Sequence, residues 1–83
     1  MIEIFVSEKC PHCTEVIKNF ENDENYYGKG AKLININGPL SNLKKFLSYR
    51  DKLEGFEKIK EEGKIGIPSK VVDGKEVLFF DQV

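Results

Sequence analysis

Apolar and polar positions recur along the chain with two periods, and the change from one to the other marks the elements. Residues 2 to 6, Ile-Glu-Ile-Phe-Val, are β-branched and aromatic with partial alternation, which predicts a buried strand. Cys13, Val16, Ile17 and Phe20 then fall at helical spacing and make one apolar face. Pro11 suits the first turn of that helix, where its missing N–H costs nothing. The polar run Glu-Asn-Asp-Glu-Asn at 21 to 25 ends the helix, and Gly28 and Gly30 mark a loop. A second strand is predicted over residues 32 to 37, closed by the Asn-Gly-Pro turn at 37 to 39.

From Leu40 onward, Leu43, Phe46, Leu47 and Arg50 predict a helix with one buried side. A further helical stretch runs over residues 53 to 62 and stops at Gly63, with Phe56 and Ile59 as core candidates. The lysines and glutamates of 57 to 64 read as its solvated face. In the tail, two β-rich segments flank Asp73-Gly74, which is hairpin chemistry.

The order β-α-β-α-β-β predicts an α/β fold. Two strands joined through a helix are parallel with a right-handed crossover, and the terminal hairpin is antiparallel. One mixed four-stranded sheet with helices against it accounts for every segment. At 83 residues the chain has no room for a second core, so residues 1–83 are expected to form a single domain.

Composition narrows the partners. Thirteen basic residues against fourteen acidic ones leave a net charge of −1, with no lysine run longer than Lys44-Lys45. That balance supplies no field for nucleic acid or an anionic membrane, and neither is expected as a partner. Apolar residues at 40% are dispersed, with no run long enough to span a bilayer and no secretory leader at the N-terminus. A cytoplasmic location follows as the expectation. In the cytosol structural disulfides are rare, so a close cysteine pair points to catalysis or metal.

The pair in question is Cys10 and Cys13, separated by Pro11 and His12. As a staple it would close a four-residue loop, worth roughly 2 kcal/mol at most, and would join no distant elements. As a metal site, Cys10, His12 and Cys13 supply good ligands. A structural zinc site wants four, usually as two separated pairs, and this chain has no third cysteine or second histidine. No metal ligands are therefore assigned within one chain. The alternative is a dimeric metal or iron–sulfur module completed between subunits through Cys10.

The redox reading uses every feature. Placed at a helix start, Cys10 meets unpaired N–H groups and the positive end of the dipole, while His12 and Lys9 add positive charge. A free thiol is only about 3% ionised at pH 7, and lowering its pKa by about two units makes it mostly thiolate. Cys13, one turn on and on the apolar face, is expected to be more buried and to keep its proton. Cys10 then attacks a substrate disulfide and Cys13 resolves the mixed disulfide.

On the strand Ile-Glu-Ile-Phe-Val-Ser, the Cys-Pro-His-Cys motif opening a helix, and the segment "GIPSKVVDGKEV", the chain resembles the glutaredoxin branch of the thioredoxin superfamily over essentially its whole length. The resemblance implies a thioredoxin-like fold and thiol-disulfide exchange in electron transfer and cell redox homeostasis. No bound cofactor is implied, and glutathione is a candidate reductant or substrate. Partners would be disulfide-containing proteins or small-molecule thiols. Pro68 matches the family's cis-proline, which implies that the backbone of Ile67 pairs with an extended substrate. Histidine at position 12, where glutaredoxins usually carry tyrosine, resembles the superfamily's disulfide oxidases. It implies either a more oxidising couple or, read plainly, an exposed ring with a modest effect.

Three features depart from that pattern. Ser7 stands where the family places a cation for the glutathione carboxylate, so Lys9 would have to substitute. Leu78 and Phe79 replace a Gly-Gly pair, although Asp81 falls where an acid holds the glutathione amino group. The C-terminal helix is missing, which would leave Phe79-Phe80 exposed and inviting self-association through the C-terminal hairpin. The segment 48–68 is also longer than the family's compact connection. Within it Arg50, the chain's single arginine, has two readings, a partner for a substrate carboxylate or a surface ion pair or helix end, and the second is the expectation.

Overall fold

In the computed structural model, which describes residues 1–80, the apolar strand at the N-terminus takes the most enclosed place available to it. β1 (Ile2–Val6) is flanked on one edge by β2 (Lys32–Asn35) and on the other by β3 (Ser69–Val72), and β3 carries β4 (Glu76–Phe79). The sheet order is β2-β1-β3-β4. β1 and β2 run parallel, with Ile4 opposite Leu33, while β1–β3 and β3–β4 are antiparallel, with Phe5 opposite Ser69 and Val71 opposite Val77. The mixed four-stranded sheet of an α/β fold is therefore as the pattern requires.

Helix α1 (Cys13–Asn22) packs on β1 and α2 (Leu40–Lys52) against β2. Aromatic rings connect the layers. Phe5 meets Phe46 of α2 at 5.3 Å and Tyr49 at 5.8 Å, Phe46 meets Phe56 at 5.9 Å, and Phe56 meets Phe79 at 5.3 Å. Phe5, Phe46 and Phe56 are almost wholly buried. Each tilted or edge-on pair adds about 0.5–1.5 kcal/mol beyond the area it buries.

Several boundaries differ from the sequence expectation, each for a local reason. α1 begins at Cys13 rather than at Cys10 or Pro11, because the chain first makes a turn closed by Cys13 N–H donating to Cys10 O at 3.1 Å. β2 ends at Asn35, although Ile36 N–H still donates to Val6 O at 2.9 Å. Leu53 turns extended and caps α2, so the stretch 53–62 divides into a 3₁₀ turn (Glu54–Phe56) and a short α3 (Glu57–Glu61). Phe56 and Ile59 are buried as expected, whereas Leu47 is exposed, one position past Phe46 and rotated off the apolar face.

The hairpin turns at Asp73 and Gly74, both at positive φ (54° and 67°), with Lys75 N–H donating to Val72 O. The N-terminal ammonium donates to Asp73 Oδ1 at 2.5 Å and holds that carboxyl below its ordinary range. Phe79 and Phe80 are half-buried rather than open: Phe79 meets Phe56 edge-on and Phe80 meets Tyr27 edge-on, leaving Leu78 as the exposed apolar residue of β4. Among the described residues no helix is long and apolar enough to cross a membrane.

One buried acid was not legible as such. Glu3, in the central strand, is 1% exposed. Tyr49 OH donates to its Oε1 at 2.7 Å and Lys45 Nζ forms an ion pair with Oε2, so α2 supplies both partners. The hydrogen bond to Glu3 and burial together push the Tyr49 phenol up to about 12.

Candidate functional site

The cysteines lie where the end of β1 hands the chain to α1. Cys10 N–H donates to Ser7 O and Cys13 N–H to Cys10 O, both at 3.1 Å, so two successive turns wind residues 7–13 into a tight bend. Both thiols are free. Cys10 is 6% exposed and Cys13 is wholly buried. Burial, reinforced by its hydrogen bond with Cys10, pushes the Cys13 thiol up to about 12, against the Ser7 N–H that reaches its Sγ at 3.5 Å. Cys13 is thus held as the protonated thiol at neutral pH.

Cys10 opens onto a cleft of about 250 Å³. Ile36, Ile65, Ile67 and Pro11 give its apolar walls, and Ser7, Lys9 and Asn37 its polar rim. Three loops meet there: the β1–α1 bend, the end of β2, and the segment before β3. Ser7 is buried; its hydroxyl donates to Asn37 Oδ1 and accepts from Lys9 N–H, which ties the first two loops together. Lys9 is exposed and, among the described residues, is the one cation lining the cleft.

The third loop is held in an unusual path. The Ile67–Pro68 peptide is cis, and Gly66 stands at φ 104° with no space for a side chain. A Cβ there would come within 2.9 Å of the Phe56 ring. Arg50, expected to serve an ion pair or its own helix end, reaches this loop instead: Nε donates to Ile65 O and Nη2 to Lys64 O, both at 2.9 Å.

Of the residues singled out from sequence, Cys10, Pro11, Lys9 and Ile67 gather on this one cleft, with Cys13 behind it and Pro68 next in the chain. His12 lies elsewhere. It precedes α1 without a side-chain cap bond, is exposed, and lines a different cleft of about 430 Å³ with Glu15, Tyr26, Tyr27 and Phe80. Asp81 lies outside the described residues. A third cleft, about 580 Å³ between Lys52–Gly55 and the hairpin turn, carries none of the predicted site residues.

Asn37 and Ile65 were missed as members of the site by sequence reasoning, and Ser7 and Arg50 were given other roles. The signals were thin: a Ser-x-x-Cys spacing, an Asn in a turn, and a single arginine on a helix. Among the described residues, no three His, Cys, Asp or Glu side chains gather around one point where a metal ion would sit. Comparison with protein-family models, with curated proteins and with solved structures gives no match for this chain.

Proposed function

We propose that the protein is a small thiol-disulfide oxidoreductase with a thioredoxin-like fold of the glutaredoxin kind. The observation that carries this reading is the asymmetry of the pair: Cys10 lines a cleft while Cys13, at hydrogen-bond distance behind it, is wholly buried with its pKa raised to about 12. A staple would gain nothing from that arrangement, whereas an attacking and a resolving thiol require it.

In the proposed reaction the Cys10 thiolate attacks one sulfur of a substrate disulfide. A Cys10–substrate bond forms, the substrate S–S bond breaks, and one thiolate leaves. Cys13 then gives its proton to that thiolate and attacks the Cys10 sulfur, forming Cys10–Cys13 and releasing the second substrate sulfur as a thiolate, which takes a proton from water. The substrate gains two electrons and the protein loses two; a dithiol donor or two equivalents of a thiol such as glutathione restore the enzyme. Run backwards, the same steps oxidise a dithiol. Pro11 shapes the bend, Lys9 supplies a cation for a substrate carboxylate, and the Ile67 backbone pairs with an extended substrate beside Pro68.

Titration in glutathione redox buffers, with free thiols trapped and weighed by mass spectrometry, tests the reading. A reversible two-electron transition between roughly −270 and −120 mV is expected. Cys10→Ser should abolish exchange, while Cys13→Ser should accumulate the mixed disulfide. Thiols that stay reduced across that range, or a Cys10→Ser protein that still exchanges, would sink the proposal.

A further inference from the structure

The Cys10 cleft is small and greasy for a site of this chemistry, and its outer wall is built in an uncommon way. Ile65 is 48% exposed yet lines the cleft beside Cys10. It belongs to a segment between α3 and β3 that lies outside the regular elements. What orients that segment is Arg50: its Nε and Nη2 donate to the Ile65 and Lys64 carbonyls, both at 2.9 Å.

A guanidinium presents its donors as a rigid planar fork, so two bonds to consecutive carbonyls fix the orientation of the peptide between them. A lysine ammonium keeps the charge but not that geometry. Ile36, Ile67 and Pro11 complete the walls, and the volume, about 250 Å³, falls below the roughly 300–1,000 Å³ of sites that hold a drug-sized molecule. The cleft is the size of a side chain.

We propose that Arg50 is a positioning residue that holds Ile65 as the outer apolar wall of the Cys10 cleft, and that the cleft selects polypeptide disulfides carrying an apolar side chain beside the reacting cysteine. The inference rests on the thiol-disulfide reading and deepens it by naming the substrate class.

The test compares two disulfide-linked peptides that differ only in the residue next to cysteine, leucine in one and serine in the other. The readout is the ratio of their kcat/KM values, which does not depend on the fraction of active protein. The native chain should favour the leucine peptide about tenfold, the order expected when a small apolar group is gained or lost in a pocket. Ile65→Ser should bring the ratio within about twofold, mainly through a higher KM for the leucine peptide. Arg50→Lys should shift the ratio in the same direction. A native ratio near one, or an Ile65→Ser ratio still near ten, overturns the substrate class. An Arg50→Lys protein that keeps the full preference overturns the positioning role. Absence of exchange with both peptides, and with cystamine as a disulfide lacking any flanking residue, overturns the redox reading itself.

Discussion

Cys10 and Cys13 are three positions apart, and what separates them chemically is their surroundings. Cys10 has a cleft beside it, whereas Cys13 has a packed interior and a raised pKa of about 12. Thiolates, not thiols, react with haloacetamides. With iodoacetamide at pH 7.5 and the native fold intact, Cys10 is therefore expected to be carbamidomethylated at least about 100-fold faster than Cys13. Peptide mapping by mass spectrometry reads this directly, and equal labelling would remove the basis for assigning different roles. The asymmetry was legible in part: the helical spacing of Cys13 with Val16 placed it on the apolar face. The position of Cys10 one turn ahead of α1 was not, because helix starts depend on turn hydrogen bonds that spacing does not encode.

At the scale of elements, the site is an agreement among three loops, and the segment before β3 is the most constrained. Gly66 combines φ 104° with a Phe56 ring where a Cβ would go. Gly66→Ala is expected to destabilise the protein by about 1–3 kcal/mol, the usual range for forcing a side chain into such backbone. For a domain of this size that lowers Tm by about 4–8 °C per kcal/mol. Thermal unfolding followed by circular dichroism checks it; an unchanged Tm would mean that Phe56 and the loop yield without loss. Nothing in the sequence marks Gly66 apart from Gly63, because the difference lies in a ring ten residues upstream that the fold brings back.

For the whole molecule, the buried Cys13 thiol and the half-buried Tyr49 phenol set the alkaline limit. Cys13 and Tyr49 have ordinary values of 9.0 and 10.0 and are raised to about 12 in the folded chain. A raised pKa means that the unfolded chain loses its proton first, so the stabilisation is fully present below the unfolded value and is lost as pH rises towards the folded one. Stability of the reduced protein should hold up to about pH 9 and decline between about pH 9 and 12. Urea midpoints at pH 7.5 and 10.5, measured in reductant, test the sign. Cys13→Ala and Tyr49→Phe should each reduce the decline relative to the native chain; if neither does, these groups do not set the limit.

The sequence by itself determined the local structure and the identity of the chemistry-bearing pair. Strand β1, the apolar face of α1, the burial of Phe56 and Ile59, and the turn at Asp73-Gly74 follow from periodicity and backbone preference, which act over a few residues. Only the tertiary structure decided which distant groups meet. It put β1 between β2 and β3, gave the buried Glu3 its partners 42 and 46 positions away in Lys45 and Tyr49, and joined Ser7 to Asn37. It also turned Arg50 from its own helix to the carbonyls of residues 64 and 65. Hydrogen bonds and ion pairs of this kind are set by where the packed elements leave a donor beside an acceptor, and no spacing along the chain records that.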